Sequence, residues 1–199
     1  METQRVIMGI LNCTPDSFSH DGRFRNIDAA YDKAQSMISA GASIIDIGGE
    51  SSRPNSVPVS QEEELDRVLP VIERLTQNSA VQISIDTTKP VVAEQALKLG
   101  ASIVNDISGG IDPLMRKVVA GLHASIILMH KRPFLSATLE VTRTNNVVVE
   151  IKDFFHNKSL CVTMRALQRS KSGLTQVSAL VKIFLNTVRS LIISRTLFH

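Results

Sequence analysis

Ala40-Gly41-Ala42-Ser43-Ile44-Ile45-Asp46 and Leu99-Gly100-Ala101-Ser102-Ile103-Val104-Asn105 match in residue type position by position. Each reads as a helix end, a glycine that stops it, a short strand rich in β-branched residues, and a polar residue that closes the strand. Such runs lack polar alternation, which is the pattern of a strand covered on both faces in a parallel sheet. The two segments are therefore copies of one helix–strand unit, and the rest of the chain can be read in the same register.

Upstream, residues 6–11 form a first strand that stops at Asn12. Turn formers fill residues 12–26, and a helix over about 27–40 carries Ala30, Ala34, Met37 and Ile38 on one side. Residues 42–47 are the second strand. Ser60-Gln61-Glu62-Glu63 has the capping-box pattern and opens a helix whose stripe is Leu65, Val68, Leu69, Ile72 and Leu75. Pro70 lies inside that stripe and predicts a kink or a break. Residues 81–85 are the third strand, ending at Asp86, and Pro90 suits the first turn of the helix that runs to Gly100. The fourth strand, 101–104, ends at Asn105-Asp106. Asp112-Pro113 opens a helix to about Gly121, and the fifth strand, 124–129, ends at His130.

Strict alternation of strand and helix with short connections implies a parallel α/β protein with right-handed crossovers. No glycine-rich phosphate fingerprint follows the first strand, and a polar residue closes all five strands. Both observations favour a barrel over a doubly wound sheet. The expected fold is thus α/β, an incomplete (β/α)8 TIM-type barrel of about five βα units. Asn12, Asp46, Asp86, Asn105 and His130 then fall at the carboxyl ends of the strands, the face where barrel enzymes build their sites. Carboxylates and amides converging there can hydrogen-bond a flat polar heterocycle. The loop Asp46-Ile47-Gly48-Gly49-Glu50-Ser51-Ser52-Arg53-Pro54 adds an arginine whose fork suits phosphate or sulfonate oxygens.

Composition is that of an ordinary globular protein, with 43% hydrophobic and 21% charged residues in 199. The amino end has no cationic segment with a long apolar core, and no run reaches the ~20 apolar residues of a membrane span. The two cysteines, Cys13 and Cys161, have no metal-type spacing, and a reducing cytoplasm is expected. Charge is divided unevenly. Residues 151–199 hold eight lysines and arginines against Asp153 alone, a net +7, which leaves 1–150 at −4 within a total of +3.

Met8-Gly9-Ile10-Leu11-Asn12-Cys13-Thr14-Pro15-Asp16-Ser17-Phe18-Ser19, the 46–54 loop, Ile83-Ser84-Ile85-Asp86-Thr87 and Asn105-Asp106-Ile107-Ser108-Gly109 together resemble the successive signatures of dihydropteroate synthase. The match runs in order to about His130 and more weakly to Phe155. One such motif alone is shared with other pterin-binding barrels, such as methyltetrahydrofolate methyltransferases. The resemblance implies a folate-pathway transferase that joins the methylene of 6-hydroxymethyl-7,8-dihydropterin pyrophosphate to the amine of p-aminobenzoate and releases pyrophosphate. It implies Asn12 as the holder of a Mg²⁺ cofactor, and Asn12, Arg53 and Asp86 as the catalytic set. Ser52 and Arg53 would meet the substrates, Asp86 and Asn105 would grip the pterin, Ile107 and Met129 would pack on its faces, and Phe18 and Pro54 would cover the p-aminobenzoate site. The family is usually homodimeric, and no nucleic-acid partner is implied. The sequence departs from the family at Cys13 (valine), at Ser52 (usually threonine) and at His20-Asp21-Gly22 (usually Asp-Gly-Gly).

The expected division is a partial pterin-binding domain over 1–155 and a basic tail over 156–199. From 159 to 199 there is one glycine, no proline and no acid. Leu174, Val177, Val181, Phe184, Val188 and Leu191 recur at helical spacing, so the tail is expected to be helical. Three origins are open for it: a frameshifted or mis-joined end, a helix docking on the fifth strand, or a basic helix for a membrane surface or nucleic acid. Five strands do not close a barrel of eight, so the edges of strands one and five are expected to lack partners. A catalytically inactive remnant that at most binds pterin is the alternative to an active synthase.

Overall fold

A computed structural model describes residues 6–14, 23–51, 56–130, 153–154, 179–183 and 191–193. The chain divides into two compact units after Asn105. The first contains β1 (Met8–Asn12), α1 (Arg23–Ser39), β2 (Ile44–Gly48), α2 (Gln61–Asn78), β3 (Gln82–Asp86), α3 (Pro90–Lys98) and all but the last residue of β4 (Ile103–Asp106). Its strands are parallel, and each new strand adds on the same side of the last. That order, without the reversal of a doubly wound sheet, is the barrel-type winding expected from the sequence.

The register separates the two faces. Asn12, Gly48, Asp86 and Asn105 form one row across the sheet, with Asp46 and Ser84 paired one row deeper. The alternate residues Leu11, Ile45, Ile47, Ile83, Ile85 and Val104 are buried. Side chains alternate across a strand, so the polar row and the aliphatic layer occupy opposite faces. α2 packs against both α1 and α3 and also touches β2. It buries Val68, Val71, Ile72 and Leu75 at helical spacing.

Pro70 does not break α2. The helix is continuous from Gln61 to Asn78, because losing one backbone bond, about 3 kcal/mol, is outweighed by the four aliphatic side chains it buries, each contributing roughly 1.5–3 kcal/mol. Its start follows the expected cap: the Glu63 amide donates to Ser60 Oγ at 3.1 Å.

The repeat at the two glycines has a common geometry. Gly41 has φ +101° and Gly100 φ +112°. The amide of Ala42 donates to the Met37 carbonyl and that of Gly41 to Ile38, while Ala101 and Gly100 repeat the pattern on Ala96 and Leu97. These paired bonds close each helix and turn the chain directly into the next strand. A third copy, missed by the sequence reading, is His123-Ala124-Ser125-Ile126-Ile127: His123 has φ 54°, and the Ala124 amide donates to Val119 at 3.0 Å. A side chain in this left-handed region costs about 1–2 kcal/mol. His123→Gly is therefore expected to raise the unfolding free energy by about 0.5–1 kcal/mol in urea titration, and a lower midpoint would contradict it.

The second unit holds α4 (Pro113–Gly121), β5 (Ser125–His130), β6 (Ala179–Ile183) and β7 (Leu191–Ile193). Asp112 caps α4 by accepting from the Leu114 amide at 2.7 Å. β6 lies parallel to β5, and β7 lies antiparallel to β6. This corrects two expectations. Residues 179–183 and 191–193 are strands, not parts of a helix, and the fifth strand has a paired neighbour. The physical reason is that Ala179-Leu180-Val181-Lys182-Ile183 pairs along its whole length with β5, and pairing with a distant segment overrides the helical spacing. Among the described residues, β1 pairs only with β2.

Candidate active site

The polar residues lie at the carboxyl ends of the first unit's strands because each strand ends where its apolar run does. Asn12, exposed, closes β1, and Asp86, half-buried, closes β3. Asn105, on β4, is opposite Asp86. Gly48, not Asp46, closes β2. Asp46 sits inside the strand and is 2% exposed, a correction to its expected place at the strand end. The run of small and aliphatic residues continues two positions beyond it to Gly48.

Asn105 Nδ2 donates to Asp46 Oδ2 at 2.8 Å. The two residues stand on the strands flanking β3, so this bond crosses β3 at the level of Ser84, whose small side chain leaves room. A buried carboxylate with an amide donor is a fixed pair. The pair orients the Asn105 side chain from below. Ser84 Oγ is buried without a hydrogen-bond partner among the described residues. An added Cβ at Gly48 would meet Asp86 Cβ at 3.5 Å and Oδ2 at 3.6 Å. A methyl there would rest in ordinary contact against the Asp86 side chain.

A charged cluster lies at the same edge. Lys89 Nζ donates to both Glu50 Oε2 and Glu64 Oε2. Glu64 is 1% exposed. Burial opposes the charge on Lys89, but bonds to the two carboxylates and their charge outweigh it and raise its pKa above the ordinary 10.5. Its contribution to stability is therefore full below that value and lost only as pH rises through the raised one. Arg67 Nη1 donates to the Gly49 carbonyl at 2.7 Å and pairs with Glu63. None of these roles was read from the sequence. One signal was present: Glu64 begins the buried stripe of Val68, Val71, Ile72 and Leu75, and an acid there requires a partner.

Cys13 follows β1, and its amide donates to the Gly48 carbonyl at 2.7 Å. Burial pushes its thiol up to about 12, against a lesser lowering by Arg67. It is a protonated packing residue at neutral pH, not a nucleophile. In the second unit, Ile107 lies in the turn after β4. The Asp106 carboxylate braces that turn by accepting from the amides of Ser108 at 2.8 Å and Gly110 at 2.9 Å. Met129 is on β5, and a Cβ at Gly109 would lie 2.7 Å from the Met129 carbonyl oxygen, so that turn rests against β5. Phe18, Ser52, Arg53 and Pro54 lie outside the described residues, as does the His130 side chain.

The sequence pattern of the family described as pterin binding enzyme matches residues 8–171. This chain belongs to the pterin-binding enzymes. It is 54% identical over 129 residues to a dihydropteroate synthase of Bacillus subtilis, covering 64% of this chain and 45% of that one. It is 43% identical over 149 residues to the Escherichia coli dihydropteroate synthase, covering 75% and 53%. The chain spans about half the length of these relatives. Among solved structures, a clostridial dihydropteroate synthase determined in the presence of pteroic acid superposes with a TM-score of 0.72 at 40% identity, over 88% of this chain and 62% of that one. A Xanthomonas albilineans dihydropteroate synthase with 4-aminobenzoic acid gives 0.71 at 38%, over 81% and 57%. The pterin-binding fold here is a partial barrel. No helix among the described residues is long and apolar enough to cross a membrane.

Proposed function

We propose that this chain is a dihydropteroate synthase of folate biosynthesis, a cytoplasmic transferase acting on 6-hydroxymethyl-7,8-dihydropterin pyrophosphate and p-aminobenzoate. The amine nitrogen bonds to the pterin methylene carbon, the carbon–oxygen bond to pyrophosphate breaks with its electron pair leaving on oxygen, and the amine loses a proton. The observation that carries the reading is the row Asn12–Gly48–Asp86–Asn105 with Asp46 buried behind Asn105, in a chain of this family.

Asp86 accepts N–H bonds from the pterin edge and Asn105 supplies one donor and one acceptor. Ile107 and Met129 cover the ring faces. Ser52 and Arg53 meet the substrates from the second loop, where the guanidinium offsets the charge that develops on pyrophosphate. Phe18 and Pro54 shield the p-aminobenzoate site from water. Among the described residues no three His, Cys, Asp or Glu side chains gather as a metal centre. The exposed Asn12 offers one neutral oxygen, a donor set that fits Mg²⁺, which takes few protein ligands and completes its shell with phosphate oxygens and water. Asn12 would hold the ion, which when bound supplies positive charge at the leaving group.

The test is pyrophosphate release by the purified chain with both substrates and Mg²⁺. Release that requires p-aminobenzoate and yields dihydropteroate is expected. Pterin binding without release would leave a pterin-binding chain with no synthase activity, and absence of both would sink the reading.

A further inference from the structure

We propose that Lys89 is a positioning residue whose ammonium, shared between Glu50 and Glu64, ties together the segments that follow β2 and β3 and so fixes how Asp86 and Asn105 are presented to a pterin. The inference rests on the pterin-site reading above and adds to it a group that touches no substrate.

Three elements meet at Lys89. Glu50 stands two residues beyond β2, Glu64 is on α2, and Lys89 is the cap residue of α3, three residues after Asp86. The backbone continues the tie. The Lys89 amide donates to Thr87 Oγ1 at 3.1 Å, and the Thr87 amide donates to the Asn105 carbonyl at 3.2 Å. One connected path therefore runs from Glu50 through Lys89 and Thr87 to Asn105, joining the ends of β2, β3 and β4. Arg67 holds the neighbouring Gly49 carbonyl from α2, so the chain just after β2 is held from two sides.

Stability alone is a poor account of this arrangement. Burying a carboxylate as completely as Glu64 opposes folding, and apolar side chains of the same volume commonly serve a core as well or better. Charged hydrogen bonds add direction. They fix the chain beyond β2 against the start of α3, where the backbone ladder has ended at Gly48–Asp86, and binding groups tolerate little misplacement.

The experiment separates direction from stability. Lys89→Met alone strands a buried charge, so it is combined with Glu64→Gln, which removes that charge. Calorimetry with 6-hydroxymethyl-7,8-dihydropterin pyrophosphate and Mg²⁺ is read beside urea midpoints and amide exchange at Gly49 and Glu50. The double variant is expected to regain the parent midpoint while binding remains about tenfold to a hundredfold weaker, with faster exchange at both amides. Glu50→Ala, which leaves Lys89 paired with Glu64, is expected to weaken binding with little change in midpoint. If the double variant recovers both midpoint and affinity, Lys89 serves stability alone and the proposal is overturned. If the parent chain binds no pterin, the functional reading fails separately, and the exchange rates still decide the tether: unchanged exchange in the double variant overturns it and faster exchange supports it.

Discussion

Replacing Asp86 by alanine is expected to weaken binding of 6-hydroxymethyl-7,8-dihydropterin pyrophosphate about a hundredfold, close to 3 kcal/mol, the worth of a charged hydrogen-bond acceptor facing a desolvated donor. Asp86 ends β3 on the polar face, half-buried, beside Gly48 of β2. The change removes an acceptor from the site and leaves the aliphatic layer on the other face of β3 intact, so the loss in affinity should exceed the loss in folding free energy. Asp46→Ala is the contrast. Asp46 is buried and receives the Asn105 amide, and its loss strands a donor at a cost of about 1–3 kcal/mol in folding free energy. Calorimetry and urea titration of both variants distinguish a residue that binds from one that braces. Unchanged affinity in Asp86→Ala would remove it from the pterin site.

Gly49→Ala is expected to lower stability by about 1–3 kcal/mol, the range for overpacking a well-filled core. A Cβ at Gly49 would fall 2.9 Å from both Glu64 Cγ and Val68 Cγ1 and 3.2 Å from the Glu64 carbonyl oxygen. Part of that wall is helix backbone, so side-chain movement alone does not relieve the contact. The shift would also push α2, which carries Glu64 and Arg67, away from the strand end it ties. Gly48→Ala supplies the comparison, since its Cβ would make only ordinary contacts with Asp86. Its effect should appear in pterin affinity more than in the midpoint. Equal midpoints for the two variants would show that α2 does not need Gly49 for its approach. The two adjacent glycines thus differ: Gly49 admits a helix, whereas Gly48 abuts the Asp86 side chain at ordinary contact distance.

Much of the first unit was legible because its signals are local. Glycine at a helix end, proline in a first turn, a serine cap and a β-branched run act over four to seven residues, and they located their elements to within about two residues; α1, whose start had no such signal, begins at Arg23, four residues before its expected start. The same locality explains the misses. Whether α2 survives Pro70 depends on what its buried side chains pack against, and those partners, on α1, α3 and β2, belong to other parts of the chain. The helical spacing of Leu174 to Leu191 could not reveal β5 as a neighbour for β6, because strand pairing is settled by a segment some fifty residues away.

The motifs determined the family, the order of strands and helices as far as β5, and the candidate roles of Asn12, Asp86 and Asn105, since all of these follow from residue types at fixed short spacings. The tertiary structure alone decided that Asp46 lies behind Asn105 and not at the rim, that Gly49 is a packing glycine, and that Lys89 joins Glu50 to Glu64. Each of those depends on which side chains the winding of the sheet brings within a few ångströms, a distance that spacing along the chain does not encode.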